Sequence, residues 1–218
     1  MTVALTIAFK DLRTEWRSRE LWPALAQFSV LAILIANFAF DVDRAGAAQI
    51  APGVLWLALV FAAVTGLGRA FAAEKEQGTL EAMLLTPAGA SGIFLGKALA
   101  GLALLVACEA VLVPGLAIFF GVPLSFYLVA AVFLATIGMA ALGCLFAALA
   151  AQTRARELLL PVLALPLWIP LVIAGGRAVQ VAMAGGSPGS DQALPRLLAV
   201  SILFVVTASL AARFVLDD

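Results

Sequence analysis

Six long runs of apolar residues follow one another along the chain and account for most of its length. They lie at about 23–40, 50–70, 96–120, 126–151, 158–174 and 195–214. Each is close to the roughly 20 helical residues that cross a hydrocarbon core of about 30 Å. Charged residues lie almost entirely between the runs, because an unpaired charge in hydrocarbon costs several kcal/mol. The pattern predicts an all-α polytopic membrane protein, with six transmembrane helices in a single membrane domain over residues 1–218.

The first twenty residues have a different pattern, in which apolar residues recur at helical spacing with charged residues between them. The apolar positions are Leu5, Phe9, Leu12 and Trp16, and the polar ones are Lys10, Arg13, Thr14 and Arg17. This arrangement predicts an N-terminal amphipathic helix over residues 1–20 that lies in the membrane interface. Two roles are open for it: a simple membrane anchor, or a surface that docks a partner.

Composition agrees with a membrane protein and narrows its chemistry. Of the 218 residues, 64% are hydrophobic and 12% are charged, whereas soluble domains average about 25% charged residues. Thirteen basic residues balance thirteen acidic ones, so the charge gives no indication of a nucleic-acid partner. The chain has no histidine, and Cys108 and Cys144 lie inside apolar runs. We therefore expect ordinary packing for both thiols, no metal or cofactor bound by this chain, and no catalytic site.

Lysine and arginine residues are distributed unequally between the two sides of the predicted helices. Ten of the thirteen fall before the first helix, around the second and fourth loops, or near the C-terminus. Only Arg44, Arg177 and Arg196 fall on the opposite side. Because cytoplasmic loops carry the excess of basic residues, the pattern predicts a multi-pass protein of the cell (inner) membrane with both termini in the cytoplasm.

The segment 74–87, between the second and third predicted helices, is the polar stretch with the most internal pattern. Gly78 can end one helix, and Thr79 can cap the next. An apolar patch follows, and Pro87 ends the turn; the patch is Leu80, Met83, Leu84 and Leu85. We interpret the segment as a short helix across the cytoplasmic mouth of the bundle, with an apolar ridge and acidic neighbours. Such a ridge is covered either by another protein or by the bundle itself, and the sequence leaves both open.

The order of residues in this segment resembles a known class of transporters. Residues 76–81 (Glu-Gln-Gly-Thr-Leu-Glu), then 84–87 (Leu-Leu-Thr-Pro) and the pair Gly96-Lys97 are similar to the coupling-helix motif of ABC-2-type permeases. The resemblance implies ABC-2-type architecture, in which this cytoplasmic coupling helix sits in a groove of a separate ATPase subunit. The coupling residues that it implies are Glu74, Glu76, Gly78, Thr79, Leu80, Glu81, Met83, Leu84 and Pro87.

Further features are similar to one family, the haem exporter protein B family (CcmB) of the cytochrome c maturation system. The second predicted helix opens with Ala51-Pro52-Gly53 followed by Trp56, and three prolines punctuate the fifth, in a bare six-helix chain. The similarity extends over nearly the whole chain. It implies a permease subunit that couples ATP hydrolysis on a partner to haem export or, in a competing account, to release of a haem-loaded chaperone. An ABC-2-type permease for another substrate, such as a lipid, drug or glycan, is the alternative.

The same resemblance implies which partners surround the chain. They are the ABC ATPase subunit (A), a second copy of the chain, the haem-handling membrane subunits C and D, and the haem chaperone E, in a lipid bilayer and without nucleic acid. It also implies that ATP is bound by the ATPase subunit and that haem is a substrate, not a resident cofactor.

Several residues inside the predicted helices are candidates for particular roles. Glu109 is an acid deep in an apolar run and marks a possible intramembrane polar site, either a structural hydrogen bond to a neighbouring helix or a substrate or proton site. Pro161, Pro166 and Pro170 predict that the fifth helix is kinked or broken, either for structure or as a mobile element. Lys97 is predicted to extend its ammonium to the interface. A stripe of small residues along the fourth helix predicts close packing, within the bundle or between two copies.

Overall fold

The structure, a computed structural model, describes residues 2–40, 44–86, 88–153, 156–186 and 192–217. Within these ranges the regular structure is entirely helical, which confirms the predicted all-α class. In chain order the helices are α1 (Thr2–Ser18), α2 (Leu21–Phe40), α3 (Arg44–Gly68), α4 (Ala72–Glu76), α5 (Thr79–Leu84), α6 (Gly89–Phe120), α7 (Phe126–Ala151), α8 (Arg156–Met183) and α9 (Ala193–Asp217).

Six helices in the described part of the chain are long and apolar enough to cross a bilayer, as predicted. Their candidate spans are Leu21–Ala39, Gln49–Gly68, Gly89–Phe120, Phe126–Ala151, Leu158–Met183 and Ala193–Leu216. The remaining helices are α1, which precedes the first span, and the short α4 and α5, which lie between the second and third spans.

Most of the spanning helices are longer than predicted, and α6 and α8 exceed their predicted lengths most. α6 begins at Gly89, not near residue 96, and α8 continues to Met183, not to about 174. The residues that directly follow the fifth predicted run are therefore helical as far as Met183. The reason lies at Gly175, where an added Cβ would overlap the indole ring of Trp56. This glycine brings α8 close to α3 and does not end the helix, as small residues commonly do in membrane bundles.

α8 remains one helix through Pro161, Pro166 and Pro170. Of the two outcomes predicted for these prolines, a kinked or a broken helix, the break is therefore wrong, and a kink stays a prediction. In membrane bundles, neighbouring helices and local adjustments can satisfy the carbonyl groups that a proline frees, and α8 packs against α3, α7 and α9. A role for α8 as a mobile element stays a prediction.

α7 is the spanning helix most enclosed by the bundle, since it packs against α3, α6, α8 and α9. The small residues of its stripe are buried at these contacts: Ala131, Ala135, Gly143, Ala147 and Ala151. At Gly143 an added Cβ would collide with the side chains of Leu67 and Trp168. The stripe therefore serves packing inside the bundle, which confirms one of the two roles expected for it.

α1 packs on the beginning of α6 by its own small-residue face. Ala4 and Ala8 are buried there, and an added Cβ at Gly96 would lie 2.7 Å from the Cβ of Ile7. The apolar side predicted from the sequence points elsewhere, because Phe9 and Trp16 are exposed. An exposed apolar side next to a charged one is typical of a helix in the membrane interface. The predicted N-terminal helix is therefore present as α1, and its place in the interface stays a prediction.

Contacts between helix ends place both described chain ends on one side of the bundle. Near the end of α9, Arg213 Nε donates a hydrogen bond of 3.1 Å to Ser91 Oγ at the beginning of α6. Gln152, directly after α7, donates to the carbonyl oxygen of Val215. Since α5 precedes α6 by a short turn, we call this side the α5 end. Its basic residues support the predicted cytoplasmic orientation, which stays a prediction.

Candidate functional site

The segment between the second and third spans forms two short helices, α4 and α5, on either side of Gly78, where the sequence predicts that one helix ends and the next begins. Gly78 separates them with a left-handed φ of 66°, which glycine adopts without steric cost. Gly78 is also the N-cap of α5, so the prediction that Thr79 caps this helix is wrong. Thr79 is the first helical residue, and its hydroxyl donates a 3.3 Å hydrogen bond to the carbonyl oxygen of Glu74. This bond joins the two helices across the bend.

The apolar ridge of α5 faces the bundle of its own chain. Leu80 is buried, and Met83 and Leu84 are half-buried against the core. The reason is their spacing of three and four residues, which places them on one side of the helix. The ridge could be covered by another protein or by the bundle of its own chain, and in the structure it packs against the bundle. Leu85, which we expected to extend the ridge, is instead 89% exposed.

The outer surface of the segment consists of polar and small residues around Leu85, all of them exposed. We call this surface the outer face; its residues are Gln77, Gly78, Thr79, Glu81, Ala82, Leu85 and Thr86. Of the other coupling residues predicted from the sequence, Glu76 is the last residue of α4, and its side chain is not described. Pro87 lies outside the described residues.

Glu74 of α4 is buried in an ionic cluster that joins three helices. Its Oε1 accepts hydrogen bonds from Lys97 Nζ of α6 (2.6 Å) and Lys10 Nζ of α1 (2.8 Å). Asp11 completes the set, with Oδ2 3.0 Å from Lys97 Nζ and Oδ1 3.1 Å from Lys10 Nζ. Each of the two carboxylates contacts both ammonium groups, and the two negative charges balance the two positive ones. We call these four residues the ionic cluster.

Lys97 is the most enclosed member of the ionic cluster, with a side chain only 3% exposed. The prediction that this ammonium extends to the interface is wrong, because two carboxylates neutralise it within the protein. Its Nζ also lies 5.5 Å from the centre of the Phe71 ring, close enough for a cation–π interaction. A buried charge is tolerated in proteins when it is paired and hydrogen-bonded in this way.

The contacts within the ionic cluster determine the protonation states of Glu74 and Lys10. Burial by itself raises the pKa of Glu74. The hydrogen bonds from Lys10 and Lys97 lower the pKa by more than burial raises it, so it lies below its ordinary value of 4.5. Burial lowers the pKa of Lys10, whereas the hydrogen bond to Glu74 and the contacts with Asp11 raise it above the ordinary 10.5. Both groups are therefore charged at neutral pH.

Sequence reasoning found Glu74 but missed its partners. Lys10 was assigned only to the polar side of the amphipathic helix, Asp11 was given no role, and Lys97 was assigned to an interfacial position. One observation pointed to the pairing: a lysine near the end of an apolar run requires a counter-charge if it is not solvated. Which acid supplies that charge depends on tertiary packing, since Lys10 and Glu74 are 64 residues apart.

Glu109 is buried on α6, away from the ionic cluster. The Thr136 hydroxyl of α7 donates a hydrogen bond to Glu109 Oε1 and also lies 3.0 Å from the carbonyl oxygen of Val132. The expected hydrogen bond to a neighbouring helix is therefore present, and a substrate or proton role stays a prediction. Among the described residues, no group of three or more Cys, Asp and Glu side chains is arranged to bind a metal ion.

Comparison with known proteins gives a consistent family. The profile of the family described as CcmB protein matches residues 2–216. A heme exporter protein B from Paracoccus denitrificans is 30% identical over 211 residues, which cover 94% of both chains. A protein of the same name from Rhodobacter capsulatus is 31% identical and covers 78% of this chain and 79% of its own. The heme exporter protein B of Bradyrhizobium diazoefficiens is 30% identical and covers 85% of this chain and 84% of its own. The chain therefore belongs to the CcmB protein family.

Proposed function

We propose that this chain is the membrane permease subunit of an ABC transporter complex for cytochrome c maturation, and that ATP hydrolysis takes place on a partner subunit. Support for the class comes from the family match and from the name heme exporter protein B that its relatives carry. The observation that carries the coupling role is the ionic cluster, because it joins α4 to α1 and to a spanning helix.

In this proposal the ATPase subunit binds the outer face of α4 and α5. This face combines an exposed leucine, Leu85, with the acidic Glu81 at the end of the bundle richest in basic residues. Because the ridge below it already packs on the bundle, the outer face is the surface of the segment left for a partner. The predicted coupling segment is thus retained, with a different side of it in contact with the ATPase.

Movement of the ATPase reaches the spanning helices through Glu74. A displacement of α4 is opposed by two short charge-assisted hydrogen bonds, which are stronger than neutral ones. α4 therefore moves together with Lys97 at the base of α6 and with Lys10 of α1, and does not bend freely. Without these bonds α4 has no charged contact with the bundle, and the segment is held mainly by the apolar ridge of α5.

The cargo and surroundings follow the family. Haem is either exported by a pathway that two copies of the chain form, or ATP is used to release a haem-loaded chaperone (E) from the complex with subunits C and D. Both accounts place the α5 end and both termini in the cytoplasm, since the ATPase uses cytoplasmic ATP. The chain then lies in the inner membrane.

The test uses the whole complex in liposomes, with ATP-dependent haem movement and ATP-dependent chaperone release measured side by side. Glu74→Gln keeps the shape of the side chain but weakens both charge-assisted bonds. We expect this variant to retain the ATPase subunit and its ATP hydrolysis, but to lose most of whichever output the wild type shows.

Glu20→Gln is the matched control, because it changes an exposed acid at the same end of the bundle that belongs neither to the ionic cluster nor to the outer face. It should retain the output. An unchanged output in Glu74→Gln would contradict coupling through the ionic cluster. A wild-type complex that neither moves haem nor releases chaperone on ATP hydrolysis would overturn the proposed function itself.

A further inference from the structure

A cavity of about 330 Å³ lies beside the ionic cluster, between α1 and the adjoining ends of α3 and α6. Small-molecule sites in proteins have volumes of roughly 300–1,000 Å³. The lower wall is apolar and includes Leu21, Leu67 and Leu104, each of them buried. Because α1 has the character of an interfacial helix, the cavity lies at the level where lipid headgroups meet acyl chains.

Six charged residues line this cavity, and four of them are already paired with one another. Those four are the ionic cluster, in which each carboxylate contacts both lysines. The remaining two are Glu15 of α1 and Arg69, which follows α3. The charged groups of the cavity that remain for a ligand are therefore the Glu15 carboxylate and the Arg69 guanidinium.

Neither of these two residues is satisfied by a close partner of the described chain. The Oε2 atom of Glu15 is fully buried and accepts no hydrogen bond from the described residues. A buried carboxylate oxygen without a donor is costly. Arg69 forms an ion pair with the exposed Glu20 at 3.7 Å, which is longer than a hydrogen bond. Glu15 thus lines the cavity with a carboxylate whose Oε2 receives no hydrogen bond from the described residues, and Arg69 lines it with a guanidinium held only by a long ion pair.

The geometry points to a binding site for a phospholipid whose zwitterionic headgroup carries a primary amine, as in phosphatidylethanolamine. Its ammonium donates to Glu15, and its phosphate is bound by Arg69, whose planar guanidinium matches phosphate oxygens. The beginning of an acyl chain lies along the leucine wall. Other headgroups fit less well, because the trimethylammonium of phosphatidylcholine has no N–H to donate and phosphatidylglycerol has no cation for Glu15.

The chemistry of the headgroup gives a direct test with the unmodified protein. The detergent-purified complex is stripped of lipid and titrated with dioleoyl phosphatidylethanolamine, phosphatidylcholine or phosphatidylglycerol, and bound lipid is counted by native mass spectrometry. A hydrogen bond to a charged group is worth about one factor of ten or more in affinity. We therefore expect phosphatidylethanolamine to bind about tenfold more tightly than phosphatidylcholine, which differs only in its methyl groups. Equal binding of the three lipids, or a preference for phosphatidylglycerol, would overturn the proposal.

Variants then locate the site. Glu15→Gln should abolish the preference for phosphatidylethanolamine, and Arg69→Ala should weaken all three phospholipids. Glu81→Gln is the control and should keep the preference, because Glu81 is an exposed acid at the same end of the bundle that does not line the cavity. A preference that survives in Glu15→Gln would place the selective site elsewhere and contradict the assignment.

A soluble headgroup separates a lipid site from a site for a free amine phosphate. Glycerophosphoethanolamine has the same charged groups without acyl chains, so it should compete weakly with the lipid. Competition as strong as that of the lipid itself would show that the leucine wall contributes nothing and would overturn the claim that the ligand is a membrane lipid.

Discussion

Glu74 holds the ionic cluster together, since one of its oxygens accepts hydrogen bonds from both lysines. Removing one member of a fully buried ion pair costs about 3–5 kcal/mol, because the other charge is left uncompensated. The cost is smaller where Lys10, which is half exposed, can turn to water. From the sequence we predicted that the Lys97 ammonium extends to the interface, because the sequence does not show that Asp11 and Glu74 lie close enough to neutralise it. Only the packing of α1 and α4 on α6 determines that.

The pKa of Glu74 predicts how the stability of the protein depends on pH. Since the folded pKa lies below 4.5, this carboxylate stabilises the fold above that value, and its contribution is lost as the pH falls through the folded pKa. The contribution of Lys10 behaves in the opposite sense and is lost only as the pH rises through a folded pKa above 10.5. The difference in melting temperature between wild type and Glu74→Gln should thus be constant at about pH 6–8 and shrink below 4.5. A difference that grows in acid would contradict the pairing.

Glu109 supports a second prediction about a single residue. In Glu109→Gln the amide oxygen still accepts from Thr136, so assembly of the complex and cytochrome c maturation should both be retained. Glu109→Leu removes the acceptor, and it should lower the melting temperature only slightly, because such bonds in membrane bundles average about 0.6 kcal/mol and Thr136 keeps the Val132 carbonyl oxygen. Normal assembly with lost maturation in Glu109→Gln would instead indicate a substrate or proton role.

Among the helices, the six spans were predictable because each is an apolar run of sufficient length between charged segments. The ends of the helices were harder to predict than the spans themselves. α8, for example, continues past Gly175, because this glycine packs against Trp56, and the sequence does not show that contact. The same holds for α5. Its amphipathic spacing is evident in the sequence, but an apolar side can meet a partner or the chain itself, and the short turn into α6 directs it to the bundle.

The orientation of α5 predicts which leucine the ATPase subunit contacts. Leu85→Asp places a charge on the outer face, so it should reduce co-purification of the ATPase subunit while the melting temperature of the bundle stays near that of the wild type. Leu84→Asp places the charge against the core and should lower the melting temperature instead, by the mechanism of burying an unpaired charge.

Leu124→Asp is the matched control, because Leu124 is also exposed but lies between α6 and α7, at the opposite end of the bundle from α5. This variant should retain the ATPase subunit. Full retention of the ATPase subunit by Leu85→Asp would show that the outer face is not the docking surface.

For the whole molecule, the enclosed position of α7 and the common side of the two chain ends determine the arrangement of the bundle. The even number of spans predicted that the chain ends share a side, and the basic residues predicted which side is cytoplasmic. Which helices touch was not predictable, apart from the small-residue stripe of α7. The stripe predicts that another helix packs closely against α7, but it does not show which helix this is.

The cytoplasmic orientation can be measured by labelling single introduced cysteines with a membrane-impermeant maleimide in spheroplasts. Leu124→Cys should react directly, whereas Thr153→Cys, exposed at the α5 end, should react only after permeabilisation. Background labelling should be low, because the two native cysteines, Cys108 and Cys144, are buried. The reverse pattern of labelling would contradict the predicted orientation.

The pairing of Asp11 with Lys97 has a consequence for biosynthesis. Chains emerge from the ribosome N-terminus first, so α1 is made before either α4 or α6 exists. Until α6 is inserted, Lys10 and Asp11 have only each other and water, and the exposed Phe9 and Trp16 are what retain α1 at the bilayer surface. α1 is therefore synthesised before the helices that hold it in the bundle, and we expect its exposed aromatic side chains to keep it at the bilayer surface during translation.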